Sequence, residues 1–199
     1  MRDDDRRLLA AARRGDAGEV RAALDAGARV EARDEELRSP LLLAALGNHV
    51  EAAHVLVAAG ADPNAQDRRH DSAWLVTGVT GSVTMMRALL PAGPDTALRN
   101  RFGGVSLIPA SERGHVAYVR AVLRETDIRM AVDHVNDLGW TALLEAVILG
   151  DGGRPHQEVV ELLLAAGADP ELADADGVTP LRHARRRGFD AIAALLADV

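Results

Sequence analysis

Glu145 is the residue whose chemistry fits its setting least. It stands in the apolar run Trp140-Thr-Ala-Leu-Leu-Glu-Ala-Val-Ile-Leu149. A carboxylate among apolar side chains needs hydrogen bonds or a cation, or its pKa rises. Glu112 and Asp151 are the carboxylates that could join it, Asp151 opening the run Asp151-Gly-Gly-Arg-Pro155. Two readings follow. One is a small acidic pocket for a cation or a ligand, with hydrolysis as its chemistry. The other is a carboxylate satisfied by backbone N–H groups of a lengthened loop.

Other chemistry is narrowly bounded. There is no Cys, which excludes disulfides, thiolate metal sites and a cysteine nucleophile. All 23 basic residues are Arg, which excludes a Schiff base and a P-loop lysine. His49, His115 and His156 recur just after the Gly of a turn and are expected to be structural hydrogen-bonders; His54, His70, His134 and His183 are scattered. No nucleophile-elbow, zinc-helix or phosphate-loop pattern is present. Asp174-Ala-Asp-Gly177 lacks the remaining ligands of a calcium loop. The sequence therefore leads us to expect no catalytic residue, no metal ligand, no cofactor and no enzyme.

The elements that must position these residues come from a repeat. Apolar residues make up 48% of the 199 positions but aromatics only 3%, and with 37 Ala and 26 Leu the composition favours closely packed helices. Aligning Arg38-Ser-Pro-Leu-Leu-Leu-Ala-Ala45 with Val178-Thr-Pro-Leu-Arg-His-Ala-Arg185 and with Trp140-Thr-Ala-Leu-Leu-Glu-Ala-Val147 sets a register. Its Thr position falls at Arg6, Ser39, Ser72, Val105, Thr141 and Thr179, with steps of 33, 33, 33, 36 and 38 residues. A Gly-Ala marker at Gly27, Gly60 and Gly93 repeats the 33-residue step and returns at Gly167. In this register Ser or Thr is an N-cap, Pro opens the helix in two copies, and Gly ends the second helix. Glu145 then stands where Leu43 and Val76 stand, so burial is expected.

The segments Asp174-Ala-Asp-Gly-Val-Thr-Pro-Leu181, Glu158-Val-Val-Glu-Leu-Leu-Leu-Ala-Ala-Gly-Ala-Asp169 and Ala59-Gly-Ala-Asp-Pro-Asn-Ala-Gln-Asp67 carry a resemblance to the ankyrin repeat over nearly the whole chain. The resemblance implies an all-α solenoid of about six helix-turn-helix repeats joined by β-hairpin-like loops, in one domain, 1–199. The repeats run about 5–34, 35–67, 68–100, 101–136, 137–174 and 175–199, the last helix ending at Val199 with Leu195 and Leu196 either partly uncovered or covered by a partner. Repeat 1 lacks the Thr-Pro-Leu start, as a capping repeat does. Repeat 3 carries Thr77-Gly-Val-Thr-Gly81 and Trp74: either an irregular helix filled by Trp74 or a flexible joint. Pro109 is placed near the first turn of repeat 4. The five residues 151–155 are expected to lengthen the turn between the two helices of repeat 5.

The resemblance also implies a function: docking a partner protein on a concave face of hairpin tips and first helices. Carried over residue by residue, it points to Arg68, Arg69, Arg101, Phe102 and Leu138 at the tips, and to Trp140 before its Thr. At the ends of the first helices it points to Arg113, Ile148, Leu149 and Arg186. Apolar residues ringed by Arg are the makings of a binding hot spot; the competing reading is that the 151–155 insertion folds over Trp140 and Leu149. A net charge of −7 argues against nucleic acid, and no apolar run suits a membrane. The lysine-free, Arg-rich composition points to a GC-rich bacterium. A cytoplasmic monomer is expected, with weak self-association through the C-terminal helix as a further route.

Overall fold

Side-chain caps place the helices. The structure, a computed structural model, describes residues 1–198. The Ser39 hydroxyl accepts from Leu42 N–H at 3.1 Å, Ser72 from Leu75 at 3.1 Å, Thr141 from Leu144 at 3.2 Å and Thr179 from Arg182 at 3.4 Å. These bonds open α3 (Pro40–Leu46), α5 (Ala73–Thr80), α9 (Ala142–Ile148) and α11 (Pro180–Arg186). Each is followed by a second helix: α4 (Val50–Ala58), α6 (Val83–Leu89), α10 (Arg154–Ala165) and α12 (Asp190–Ala197). The first copy is α1 (Asp3–Arg14) and α2 (Ala17–Asp25), where Arg6 lies inside α1 and no side chain caps it. Among the described residues the chain is helical without a strand, as expected.

Two compact units result, one spanning Met1–Arg101 and one beginning at Phe102. In the first, α3 packs on α1, α4 and α5, and α4 lies between α2 and α6. In the second, α9 packs between α7 (Leu107–Glu112) and α11, and α10 lies against α8 (Val116–Glu125) and α12. Leu41, Ala44, Ala53 and Leu56 of the first unit, and Leu107, Leu144, Val159 and Leu163 of the second, are wholly buried. Small Ala residues let the helices close in, and within each unit the stacked pairs share an apolar interior that no pair could enclose alone.

Repeat 3 follows the irregular-helix reading. Thr77-Gly-Val-Thr80 is helical, Gly81 ends α5 at φ 69°, and Trp74 is fully buried. Pro91 sits in a short 3-10 turn, Leu90–Ala92, closing α6. In repeat 4 the helix starts late, at Leu107, with Pro109 third in it. An N–H at that position has no intrahelical partner to lose.

Two expectations are corrected. The 151–155 insertion does not simply lengthen a turn. Its Arg154 and Pro155 enter α10, which grows to 12 residues against nine in α4, so His156 lies inside the helix whereas His49 and His115 are N-caps. Pro in the first turn has the φ a helix needs and no N–H to waste. Leu196 is covered, at 3% exposure, because α12 turns it inward against α10 and α11; Leu195 is half-buried. The expected helix end at Val199 lies outside the described residues.

Candidate functional site

The loops that open repeats 2, 3, 5 and 6 share one frame. Asp34, Asp67, Asn136 and Asp174 each donate their backbone N–H across the loop, to the carbonyls of Arg38, Asp71, Trp140 and Val178 at 2.9–3.2 Å. The side-chain Oδ1 of each accepts two N–H groups, two and four residues on. Consecutive tips are then stitched within each unit: Arg68 N–H to the Glu36 carbonyl at 3.0 Å, and Asp137 N–H to the Phe102 carbonyl at 2.9 Å. Glycine stands behind the second stitch, where Leu37 and His70 hold the same left-handed φ in repeats 2 and 3. Gly103 has φ 71°, and a Cβ there would sit 2.3 Å from Asp137 Oδ1.

On the first unit the expected tip residues Arg68, Arg69 and Arg101 are all exposed. The Arg68 side chain is engaged, its Nε donating to the Glu35 carbonyl at 2.9 Å. Arg69 reaches Asp71 at 3.9 Å, and burial, then the Asp67 charge, push the Asp71 carboxyl upward.

On the second unit Phe102 and Leu138 occupy the same tip position in successive repeats and are 48% and 52% exposed. Leu149, after the end of α9, is 49% exposed; Trp140 and Ile148 are half-buried. The insertion does not cover Leu149. Its turn lies against Phe189 instead, where a Cβ on Gly152 would meet the ring at 2.4 Å. Arg113 is exposed but ion-paired to Glu112 at 2.7 Å, and Arg186 is exposed.

Glu145 is buried, at 5% exposure, as its register implied. Its partner is not a loop N–H. Asn136 Nδ2 donates to Glu145 Oε1 at 2.8 Å, while Asn136 Oδ1 holds the loop through Leu138 and Trp140 N–H at 3.0 Å each. Burial, then the nearby Glu112 charge, push the Glu145 carboxyl up to about 7, against the opposing pull of the Asn136 bond and Arg113. Asp151 is not part of this group. Its carboxylate is exposed, meets His156 Nδ1 at 2.7 Å and accepts from Gly153 N–H at 2.8 Å, and these bonds hold its pKa low. Among the described residues no three His, Asp or Glu side chains are grouped to hold a metal ion.

Two of the three histidines after the turns, His49 and His156, act as the expected structural hydrogen-bonders. His49 Nε2 bonds the Arg13 carbonyl at 3.1 Å, and His156 Nε2 the Glu112 carbonyl at 2.9 Å, each satisfying the end of the preceding first helix. Repeat 6 has Phe189 at that place. There Arg187 bonds the Val147 and Ile148 carbonyls, and its guanidinium lies 4.6 Å from the Phe189 ring.

Comparison with known proteins agrees with this geometry. A family model for three copies of ankyrin repeats matches residues 75–174, and a single-repeat model matches 36–68. The chain is 52% identical over 93 residues to the ankyrin repeat protein YahD of Escherichia coli K12, covering 47% of this chain and 45% of that protein; it thus spans about half the length of this relative. A crystal structure of an ankyrin repeat domain from Acinetobacter baumannii AYE is 46% identical, with 96% of each chain covered and a TM-score of 0.90. The ankyrin repeat protein EF0377 is 38% identical with the same coverage and TM-score, and the ankyrin repeat domain of Bcl-3 is 27% identical, with 96% of this chain and 85% of that one covered, at 0.83. No helix among the described residues is long and apolar enough to cross a membrane.

Proposed function

This chain belongs to the ankyrin-repeat family, whose general role is protein–protein interaction, and from that premise we propose that it is a non-enzymatic module that docks a partner protein on its second unit. The observation that carries the reading is the half-exposure of three large apolar side chains, Phe102, Leu138 and Leu149, on a frame closed by backbone bonds. Apolar anchors on a rigid support bind with little ordering cost. Glu145 supports no separate ligand pocket, since Asn136 already bonds it and Asp151 is engaged elsewhere. We take the molecule as a cytoplasmic monomer.

The test is photo-crosslinking in cells of the bacterium that encodes the chain. Benzoylphenylalanine is placed at Phe102, Leu138 or Leu149, and at exposed Arg120 on α8 as the control. A covalent adduct of one mass at the three site positions and none at Arg120 is expected. Adducts equally strong at Arg120, or none at any position, would overturn the reading.

A further inference from the structure

We propose that the docking segment of the partner is acidic, and that it is read by the arginines of α11 beside Leu149; this rests on the docking reading above. Arg182, Arg185 and Arg186 are spaced i, i+3 and i+4, which puts all three on one helix face. All three are exposed, and none makes an ion pair with the described residues. Arg13, Arg29, Arg38, Arg113 and Arg154 each meet a carboxylate within 3.1 Å; Arg14, Arg21, Arg99, Arg120 and Arg124 are exposed without an ion pair among the described residues, but no other helix there gathers three such arginines. Carboxylates are not scarce, because 30 acidic residues face 23 Arg in a chain of net charge −7. The face is therefore a local reversal of the sign of the whole molecule.

Solvation alone explains only half of it. On α9 the equivalents of Arg182 and Arg185 are Leu144 and Val147, both buried, so α11 needs polar residues wherever that face meets water. Glu or Gln would serve water as well as Arg. Like charges one turn apart repel, and a bound anionic segment removes that repulsion. Guanidinium planes also match carboxylates two bonds at a time.

An apolar contact adjoins the charges. Arg187 is already committed to the Val147 and Ile148 carbonyls, and so fastens α11 to the end of α9. Exposed Leu149 follows Ile148 directly, at the end of α9 that Arg187 holds. On its other flank stands Arg113, at the same repeat position but neutralised by Glu112. The face thus suits a segment whose carboxylates lie over α11 and whose apolar side chain rests on Leu149. Nucleic acid is the poorer occupant, since beyond three arginines it would meet an acidic molecule.

A random peptide library displayed on phage tests this, selected on the wild-type chain and on R182E/R185E/R186E. Circular dichroism reports whether the variant is folded, and R182Q/R185Q/R186Q serves as the milder second variant. The expected wild-type selection is rich in Asp and Glu around an aliphatic or aromatic residue. The best such peptide, labelled with fluorescein, should lose at least about tenfold in affinity on either variant and weaken as salt is raised. The proposal fails if the selected peptides are not acidic, if nothing is enriched over R182E/R185E/R186E, if both variants bind as the wild type does, or if single-stranded DNA competes as well as the peptide. Should crosslinking from Leu149 persist in such a case, only the acidity of the partner is withdrawn; should it vanish, the docking reading goes as well.

Discussion

Repeats 5 and 6 solve one problem with opposite charges. In repeat 6 Asp174 caps its loop through Oδ1, and its Oδ2 meets His183 Nε2 at 2.7 Å. In repeat 5 the loop residue is Asn136, and the residue at the His183 position is Glu145. The loop keeps its two N–H acceptor bonds, and the second contact runs from amide to carboxylate at 2.8 Å. An Asp at 136 would set two carboxylates against each other beneath α9. The fold thus demands an acceptor at the loop and a complementary partner on the helix, and it accepts either polarity if both ends change together. The electrostatic consequences diverge: Val178 N–H and His183 hold Asp174 low, whereas burial and Glu112 push Glu145 up to about 7.

Breaking that coordination should give the largest effect. Asn136→Asp removes the donor and opposes two buried acids, for which we expect a loss of about 3 kcal/mol in urea unfolding at pH 8. The loss should shrink below pH 6, where one proton shared between the carboxyls restores a hydrogen bond. Adding Glu145→His rebuilds the repeat 6 arrangement and should recover more than half of the loss. A double variant no better than Asn136→Asp would show that the two repeats are not interchangeable solutions.

A smaller effect separates the pairs by pH. The folded carboxyl of Glu145 titrates at about 7 against an ordinary 4.5, so the folded chain holds this proton more tightly than the unfolded one. Stability therefore falls as pH rises from 4.5 to 7 and levels off above. Asp174 has the opposite sign: its folded pKa is depressed, so its contribution is present above the ordinary carboxylate range and is lost as pH falls through it. Asp71, raised by burial, slopes the same way as Glu145, so a subtraction is needed. Glu145→Gln should flatten the profile between pH 4.5 and 7 and stabilise the chain at pH 8 relative to wild type. An unchanged slope would remove Glu145 as the titrating group.

Much of this was legible in the sequence. The 33-residue step and the Ser39, Ser72, Thr141 and Thr179 caps set the register. Register alone buried Glu145, because Leu43 and Val76 share its position. What escaped was its partner. Asn136 departs from Asp34, Asp67 and Asp174, and Glu145 departs from His183; each change read singly looks like drift, and only the pair states a compensation. The insertion was misread for a different reason. Counting residues between helices assigned 151–155 to a turn, although Arg154-Pro155 carries a helix-start signal and α10 takes both residues. Exposure at Leu149 depended on where that turn packs, and contact with Phe189 is a tertiary fact with no local signature.

The smallest expected effect concerns the helix ends. In repeat 5 His156 satisfies the Glu112 carbonyl from a nearly buried position, at 8% exposure. In repeat 6 exposed Arg187 does the same for the Ile148 carbonyl, steadied by the Phe189 ring. Water can replace a bond at an exposed site but not at an enclosed one, so deletion should be felt unequally. Arg187→Ala is expected to cost about 0.5 kcal/mol, and His156→Ala about 1–2 kcal/mol, since it also empties packed space and releases Asp151. Thermal unfolding of the two variants side by side decides it. Equal losses would mean that the arginine, despite its exposure, holds α9 as firmly as a buried histidine holds α7, and that repeat 6 is fastened by a charged contact as strong as the one repeat 5 keeps from solvent.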